Sequence, residues 1–301
     1  YSVHGLPMLP VYIYYSMFGF QRVGDLIWAA SDQRARGFLI GATAGRTTLS
    51  GEGLQHEDGA SHALAATNPN CRAYDPAFAY EVAVIVDYGA RQMMTEQLDV
   101  FYYLTVMNEN SPQPSLPPGA ESGIIKGMYR CGGHKAAGGG VCLLGSGAIL
   151  REVIAAGELL AQDWQVGSEI WSVTSFTELA REARETERWN RLHPRQPSRM
   201  SYVEACLSGD RPIIAATDYV CAYPQLIAAY VPARFVALGT DGFGRSDTRA
   251  MMRRFFEVDR YQVAVAALHS LVREGRIDAQ IVAEAITRYG IDAEAPPPWT
   301  V

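Results

Sequence analysis

The sequence lacks the features that mark nucleic-acid binding, membrane insertion or secretion. Its formal net charge is −6 at pH 7, so it has no basic footprint for nucleic acid. No apolar run reaches the roughly 18 residues of a membrane-spanning helix, and the N-terminus has no signal-peptide charge pattern. We therefore expect a globular protein with neither a nucleic-acid nor a membrane partner.

Cysteine is scarce, odd in number and without any CxxC pair. The five cysteines are Cys71, Cys131, Cys142, Cys206 and Cys221. Their scatter indicates neither a disulfide framework nor a zinc cluster. Cys131 and His134 stand at metal-ligand spacing, but no second pair completes a tetrahedral set, so we expect no metal site there. A reducing cytoplasm fits this usage.

Two familiar site motifs are missing or incomplete. No GxSxG elbow is present, so nucleophilic hydrolysis is unsupported. Gly145 and Gly147, in LLGSG, stand between a predicted strand and a predicted helix, where backbone N–H groups could hold an anion. Because the full GxGxxG spacing is missing, a tight turn is favoured over a nucleotide site, which stays the alternative.

The segment SGEGLQHEDGASH, residues 50–62, has the composition of a site. Only Leu54 is strongly apolar, and three glycines disfavour a regular helix, which predicts a loop. The side chains that this loop presents are Glu52, His56, Glu57, Asp58 and His62. Two histidines among carboxylates are suited to moving protons in carbonyl chemistry more than to binding metal. The alternative is a surface turn whose charged groups are merely solvated.

Strands and helices alternate along the chain. The hydrophobic fraction of 48% over 301 residues is enough for two domains. The expected strands are residues 11–15, 37–42, 68–74, 100–107, 141–147, 169–173, 213–217 and 235–238. Helical spacing between them predicts an α/β fold of two doubly wound domains with mainly parallel sheets.

A proline-rich span followed by CGGHKAAGGG suggests the domain boundary. Proline stiffens a connector and a glycine tract favours a turn or flexible hairpin tip, so residues 108–140 are predicted to link the domains. The first domain is expected within residues 1–125 and the second within residues 141–301.

Longer motifs carry a resemblance over practically the whole chain. They are residues 10–62, YDPAFAYEVAVI from Tyr74, NENSPQP from Asn108, LLGSGAILREV from Leu143, SVTSFTELARE from Ser172, ERWNRLHP from Glu187 and LGTDGFGRSDTR from Leu238. Together they resemble the homodimeric bacterial pyruvate dehydrogenases, the thiamine-dependent decarboxylating component of the pyruvate dehydrogenase complex. The resemblance implies a pyrimidine-binding domain, incomplete at its N-terminus, followed by a transketolase-like C-terminal domain.

The resemblance also implies an activity and its residues. This family decarboxylates pyruvate with thiamine diphosphate and passes the two-carbon fragment to lipoyl groups on the transacetylase, while the protein orients the cofactor and moves protons. In this chain His56 matches the family's active-site histidine, and Glu52 is its companion acid. His62 resembles the histidine that the wider transketolase group uses near the substrate carbonyl. Tyr15 is implied to reach the thiazolium side of the site.

Cofactor contacts follow from the same motifs. Phe18, in YYSMFGF, is implied to stack on the aminopyrimidine ring, with Tyr15 beside it. Asp58 stands in the matching EDG step and is assigned to cofactor binding. Without the surrounding match, ordinary strand-end packing would be preferred for Phe18 and Tyr15.

Departures from the family concern the other half of the site. The GDG motif and following Asn that hold Mg²⁺ and the diphosphate are absent, and TDGFG at residues 240–244 is only a superficial echo. The family's glutamate for the pyrimidine ring would precede Tyr1. The chain starts without Met, so we expect a C-terminal part of a longer protein that is inactive alone, with the Mg²⁺ ligands elsewhere.

Several partners and alternatives follow. The resemblance implies a homodimer, binding to lipoyl domains and to the core of the dihydrolipoyl transacetylase, and dependence on the missing diphosphate-binding portion. A non-catalytic assembly or relic module and another 2-oxo acid decarboxylase are the alternatives. Residues 239–249 suit an ordered surface loop at a domain contact.

Overall fold

Two β-sheets, each flanked by helices, organise the chain. The computed structural model describes residues 4–6, 8–136 and 140–301. The strands are β1 Val11–Tyr15, β2 Gly37–Ala42, β3 Cys71–Tyr74, β4 Phe101–Val106, β5 Met128–His134, β6 Gly140–Gly145, β7 Gly167–Val173, β8 Ile213–Ala216 and β9 Phe235–Leu238. The helices are α1 Phe20–Asp32, α2 Ser61–Ala65, α3 Ala79–Met94, α4 Glu121–Lys126, α5 Leu150–Trp164, α6 Phe176–Leu192, α7 Tyr202–Cys206, α8 Arg249–Phe255, α9 Arg260–Arg273 and α10 Ala279–Arg288.

The sheet topology confirms an α/β fold with mainly parallel sheets. The first sheet has four parallel strands in the order β1-β2-β4-β3, and the second has five in the order β5-β7-β6-β8-β9. Only the described pair β5 and β7 runs antiparallel. In such sheets, ligand sites form at the carboxyl ends of the strands, which here include the ends of β1 and β2.

Burial explains why these segments are strands and helices. Five of the six residues of β4, FYYLTV, are buried, as a strand covered on both faces requires. Helices α6 and α9 begin at polar caps: Ser175 Oγ accepts from Glu178 N at 3.0 Å before α6, and Asp259 Oδ1 accepts from Gln262 N at 2.9 Å before α9. Local chemistry and packing therefore agree in the longest elements.

The expected connector contains regular structure. Residues 131–134, expected to form a turn, belong to β5. Gly132, Gly133 and His134 pair with β7, and Cys131 lies at a register shift. A Cβ on Gly133, which has a φ of +148°, would collide with Ser168 O. Glycine is therefore needed here because the backbone of β7 lies so close, and not because the chain turns. Residues 137–139, at the end of the tract, lie outside the described residues.

No helix within the described ranges combines the length and apolar character needed to cross a membrane.

The turn after β6 holds a buried carboxylate from the first half of the chain. Ser146 Oγ donates to Asp75 Oδ2 at 2.8 Å, and Gly147 N donates to Asp75 O at 3.1 Å. A Cβ on Gly147 would collide with the Asp75 carboxylate, and a Cβ on Gly145 would lie 2.7 Å from Leu150 Cα. The tight-turn prediction is thus confirmed, and the alternative nucleotide site is wrong because Asp75 fills the turn.

Asp75→Asn is expected to change how stability depends on pH. Burial raises the pKa of Asp75 to about 7, despite the hydrogen bonds from Thr105 and Ser146. An unfolded aspartate titrates near pH 4, so the folded protein holds this proton more tightly. The contribution of Asp75 to the free energy of unfolding therefore falls as pH rises from about 4 to about 7, and is level above that.

Urea midpoints measured from pH 5 to pH 8 test this direction of the pH dependence. The proteins compared are the wild type, Asp75→Asn and the control Asp210→Asn, since the Asp210 side chain is 89% exposed. The stability of the Asp75→Asn variant should decline less over this interval than that of the wild type, and the control should follow the wild type. Equal slopes for all three proteins would show that Asp75 does not titrate there.

Candidate active site

Three rings meet beyond the carboxyl end of β1. Tyr15 ends β1, Phe18 ends the 3-10 turn that follows it, and His56 ends a second 3-10 turn, Leu54–His56. The Tyr15 and His56 ring centroids are 5.0 Å apart with planes inclined by 29°, and Phe18 meets His56 edge-on at 5.6 Å. We call Tyr15, Phe18 and His56 the ring cluster. The structure therefore brings together three of the residues that the resemblance selected.

Glu52 completes this group. Its Oε2 lies 3.3 Å from His56 Nδ1, and the two side chains are 40% and 22% exposed. Nδ1 is within ion-pair distance but makes no hydrogen bond among the described residues. A partly exposed imidazole with a carboxylate at this distance can hold a proton and release it to a bound molecule. The expected companion acid is thus adjacent to its histidine.

His62 lies apart from the ring cluster. It has no exposed surface, its Nε2 is 2.9 Å from Thr105 Oγ1, and it packs on Tyr219 and Tyr223 at centroid distances of 4.6 and 4.8 Å. Burial lowers the pKa of His62 to about 3, so the imidazole is neutral at pH 7. His62 lies in α2, and its ring is packed where the N-terminal half of the chain meets the half that contains Tyr219 and Tyr223. A role near a substrate carbonyl stays a prediction.

Asp58 anchors the start of α2. Its Oδ1 accepts from Ser61 N at 2.9 Å and Ala60 N at 3.0 Å, and its carboxylate also accepts from Ser61 Oγ and Gln21 Nε2. The side chain is buried and four donors already surround it. An aspartate two and three residues before these amides is a common turn-capping arrangement. Cofactor binding by Asp58 stays a prediction.

Two further charged residues hold the loop that carries His56. The Arg46 guanidinium, 7% exposed, donates to the carbonyl oxygens of Thr240 and Gly242. Glu57, 1% exposed, accepts a hydrogen bond from Arg245 N. The sequence had not singled out Arg46, because its partners are almost 200 residues away. These contacts all lie in residues 239–249, which we expected to form a surface loop at a domain contact.

The described residues fit the organic part of a cofactor better than a metal diphosphate. Tyr15 is 42% exposed and can offer a ring face, and His56 Nδ1 has no hydrogen-bond partner among the described residues. Within the described ranges, no three His, Cys, Asp or Glu side chains are grouped so as to hold a metal ion. Aromatic faces and an imidazole suit a heterocyclic ring.

Sequence comparison explains this arrangement. Residues 1–114 match the family model of the pyruvate dehydrogenase E1 component middle domain, and residues 127–259 match that of the transketolase-like TK C-terminal domain. The chain belongs to the pyruvate dehydrogenase E1 family. It is 61% identical over 297 residues to the pyruvate dehydrogenase E1 component of Pseudomonas aeruginosa, covering 98% of this chain and 34% of that protein.

A second E1 component, from Escherichia coli K12, is 56% identical over 296 residues, which are 98% of this chain and 33% of that protein. The chain thus spans about a third of the length of the curated relatives it matches. Transketolase from Pichia stipitis superposes with a TM-score of 0.67 at 14% identity, over 89% of this chain and 35% of that one. Identity this low shows the fold alone, and it confirms that this E1 chain has the transketolase-like fold.

Proposed function

We propose that this chain is the part of a pyruvate dehydrogenase E1 component that binds the rings of thiamine diphosphate and supplies the acid-base group of the site. The reaction would be oxidative decarboxylation of pyruvate with reductive acetylation of lipoyl groups on the transacetylase. The observation that carries the proposal is the convergence of the ring cluster with Glu52 at the end of a parallel strand, in a chain 61% identical to an E1 component.

Each residue of the site has a proposed task. Thiamine diphosphate, when bound, supplies the electron sink of the reaction. Phe18 and Tyr15 would hold its rings by stacking and apolar contact. His56 would hold or release a proton, and Glu52 would orient the imidazole. His62 and Asp58 would support the loop that carries His56 from its buried side.

The rest of the site is proposed to lie outside this chain. Mg²⁺ and the diphosphate would be held by a diphosphate-binding portion, with the protein working as a homodimer in the cytoplasm and delivering its product to lipoyl domains and the transacetylase core. Residues 1–125 would form a partial pyrimidine-binding domain, incomplete at its N-terminus, and residues 141–301 the C-terminal domain. The linker expected at about 108–140 would end before β5, because β5 belongs to the sheet of the C-terminal domain.

Release of carbon dioxide from pyruvate, with thiamine diphosphate and Mg²⁺, tests the proposal on the complete E1 polypeptide and on this chain alone. We expect turnover with the complete polypeptide and none with the chain alone, because no group of three or more His, Cys, Asp and Glu side chains in its described residues could hold the Mg²⁺ that binds the diphosphate. Activity only on a different 2-oxo acid would favour a neighbouring decarboxylase. No activity on any 2-oxo acid would favour an assembly or relic module.

A further inference from the structure

Glu57 follows His56 directly but has different surroundings. The His56 side chain is 22% exposed and lies in the ring cluster, whereas Glu57 is 1% exposed. Glu57 Oε2 accepts a hydrogen bond from Arg245 N, in the loop after β9. We call residues 239–247 the clamp loop. The residue beside the proposed acid-base group is thus held by the other half of the chain.

The clamp loop lies directly against the turn that carries His56. A Cβ on Gly244 would be 2.7 Å from Glu57 Oε2, 2.9 Å from Glu57 Cβ and 3.1 Å from Leu54 O. Gly51 N donates to Asp247 O at 3.1 Å, so the same loop also holds the start of this segment. Real Cβ atoms do not approach other atoms this closely, so only glycine at position 244 allows the two segments to pack.

Charge reinforces this contact. Arg46 donates to Thr240 O and Gly242 O, which ties it to the clamp loop, and its charge favours ionised Glu57. Burial raises the pKa of Glu57 to about 7, against the Arg245 N–H and Arg46, and the charge of Asp218 adds to the rise. Glu57 Oε1 is buried without a hydrogen-bond partner among the described residues. Burying a carboxylate is costly unless hydrogen bonds and a charge partner offset the loss of water, and here both come from the clamp loop and Arg46.

We propose that Glu57 is a positioning residue, which links the clamp loop to the Leu54–His56 turn and thereby fixes the His56 ring against Tyr15 and Phe18. The inference rests on the proposed role of His56. Small displacements of an acid-base group away from its reacting atoms are costly, because catalysis requires the group to be in place before the reaction begins.

Two variants of the complete E1 polypeptide test the inference by different routes. Glu57→Gln removes the charge, so the charge-assisted hydrogen bond from Arg245 N becomes a weaker neutral one and the attraction to Arg46 is lost. Gly244→Ala keeps Glu57 and forces the clamp loop away from the turn. For each, we would measure turnover of pyruvate and the rate at which diethyl pyrocarbonate modifies His56, read by peptide mass spectrometry.

Both variants should release the His56 turn. We expect faster modification of His56, and a kcat that falls about 10- to 100-fold with KM for pyruvate little changed, because the imidazole is misplaced and not removed. Matched controls are Glu121→Gln, on an exposed residue of α4, and Gly132→Ala, where an added Cβ meets nothing within 4 Å. Both controls should behave as the wild type.

The rate of His56 modification tests the inference independently of activity. A wild-type rate at His56 in both Glu57→Gln and Gly244→Ala would overturn it, whatever the turnover. Faster modification with unchanged turnover would support the positioning by Glu57 and would instead refute the proposed role of His56. If one variant does not fold, the other still decides the outcome, because the two alter opposite sides of the same contact.

Discussion

Replacing His56 with alanine is expected to slow turnover of the complete E1 polypeptide by about 10² to 10⁴, the usual contribution of one general acid-base group. His56 is the one histidine that the structure places among Tyr15, Phe18 and Glu52 in the described residues. Its side chain is partly exposed, so the loss of its contacts should cost little stability. Steady-state kinetics together with a thermal melt would measure both effects.

The matched control for this prediction is His269→Ala, since His269 is an exposed residue of α9. It should leave turnover and stability near wild-type values. Glu52→Gln should lower turnover less than His56→Ala, because Glu52 acts by orienting the imidazole. Wild-type turnover in His56→Ala would remove His56 from the mechanism and leave the ring cluster as packing.

Replacing Arg253 with methionine is expected to destabilise the protein by about 3 kcal/mol, toward the lower end of the range for breaking a buried ion pair. Arg253, on α8, is 8% exposed and its Nη1 donates to Glu109 Oε1 at 3.2 Å. Nη1 also lies 3.5 Å from Glu152 Oε1. The substitution would leave the carboxylates of Glu109 and Glu152 with one positive charge fewer beside them, at the contact between the two halves of the chain.

The loss should stay near 3 kcal/mol because the carboxylates keep other partners. Arg151 lies 3.5 Å from Glu109, and Arg260 lies 2.9 Å from Glu152. Urea denaturation would measure the change. The neighbouring Arg254→Met alters an exposed residue and should cost within about 0.5 kcal/mol. Equal midpoints for the two variants would mean that Arg253 contributes no more than a surface arginine.

The long elements were predictable because their local signals agree with their burial. Strand β4 is a continuous apolar run in sequence and is buried in the sheet. Helix α3, Ala79–Met94, was predictable as a helix because its apolar spacing and its first-turn Glu81 are both local. Strand β5 was missed since its glycines predict a turn, and only pairing with β7 makes them a strand.

In the site, too, the sequence predicted some features and only the structure showed others. Motif resemblance selected Tyr15, Phe18, His56 and Glu52, which lie together in the structure. The same resemblance gave both His56 and His62 a catalytic role and did not show that their burial differs, because both stand in one polar segment. Burial separates them: one imidazole is partly exposed, and the other is packed among tyrosines with its pKa lowered.

The sequence by itself determined the fold class, the family and the residues of the ring cluster, since these depend on local apolar patterns and on motifs that are continuous in the chain. Only the tertiary structure decided that Asp75 fills the Gly145–Gly147 turn and that the clamp loop holds Glu57. Those contacts join residues about 70 and 190 positions apart. Their chemistry depends on burial and proximity, which arise when the two halves pack.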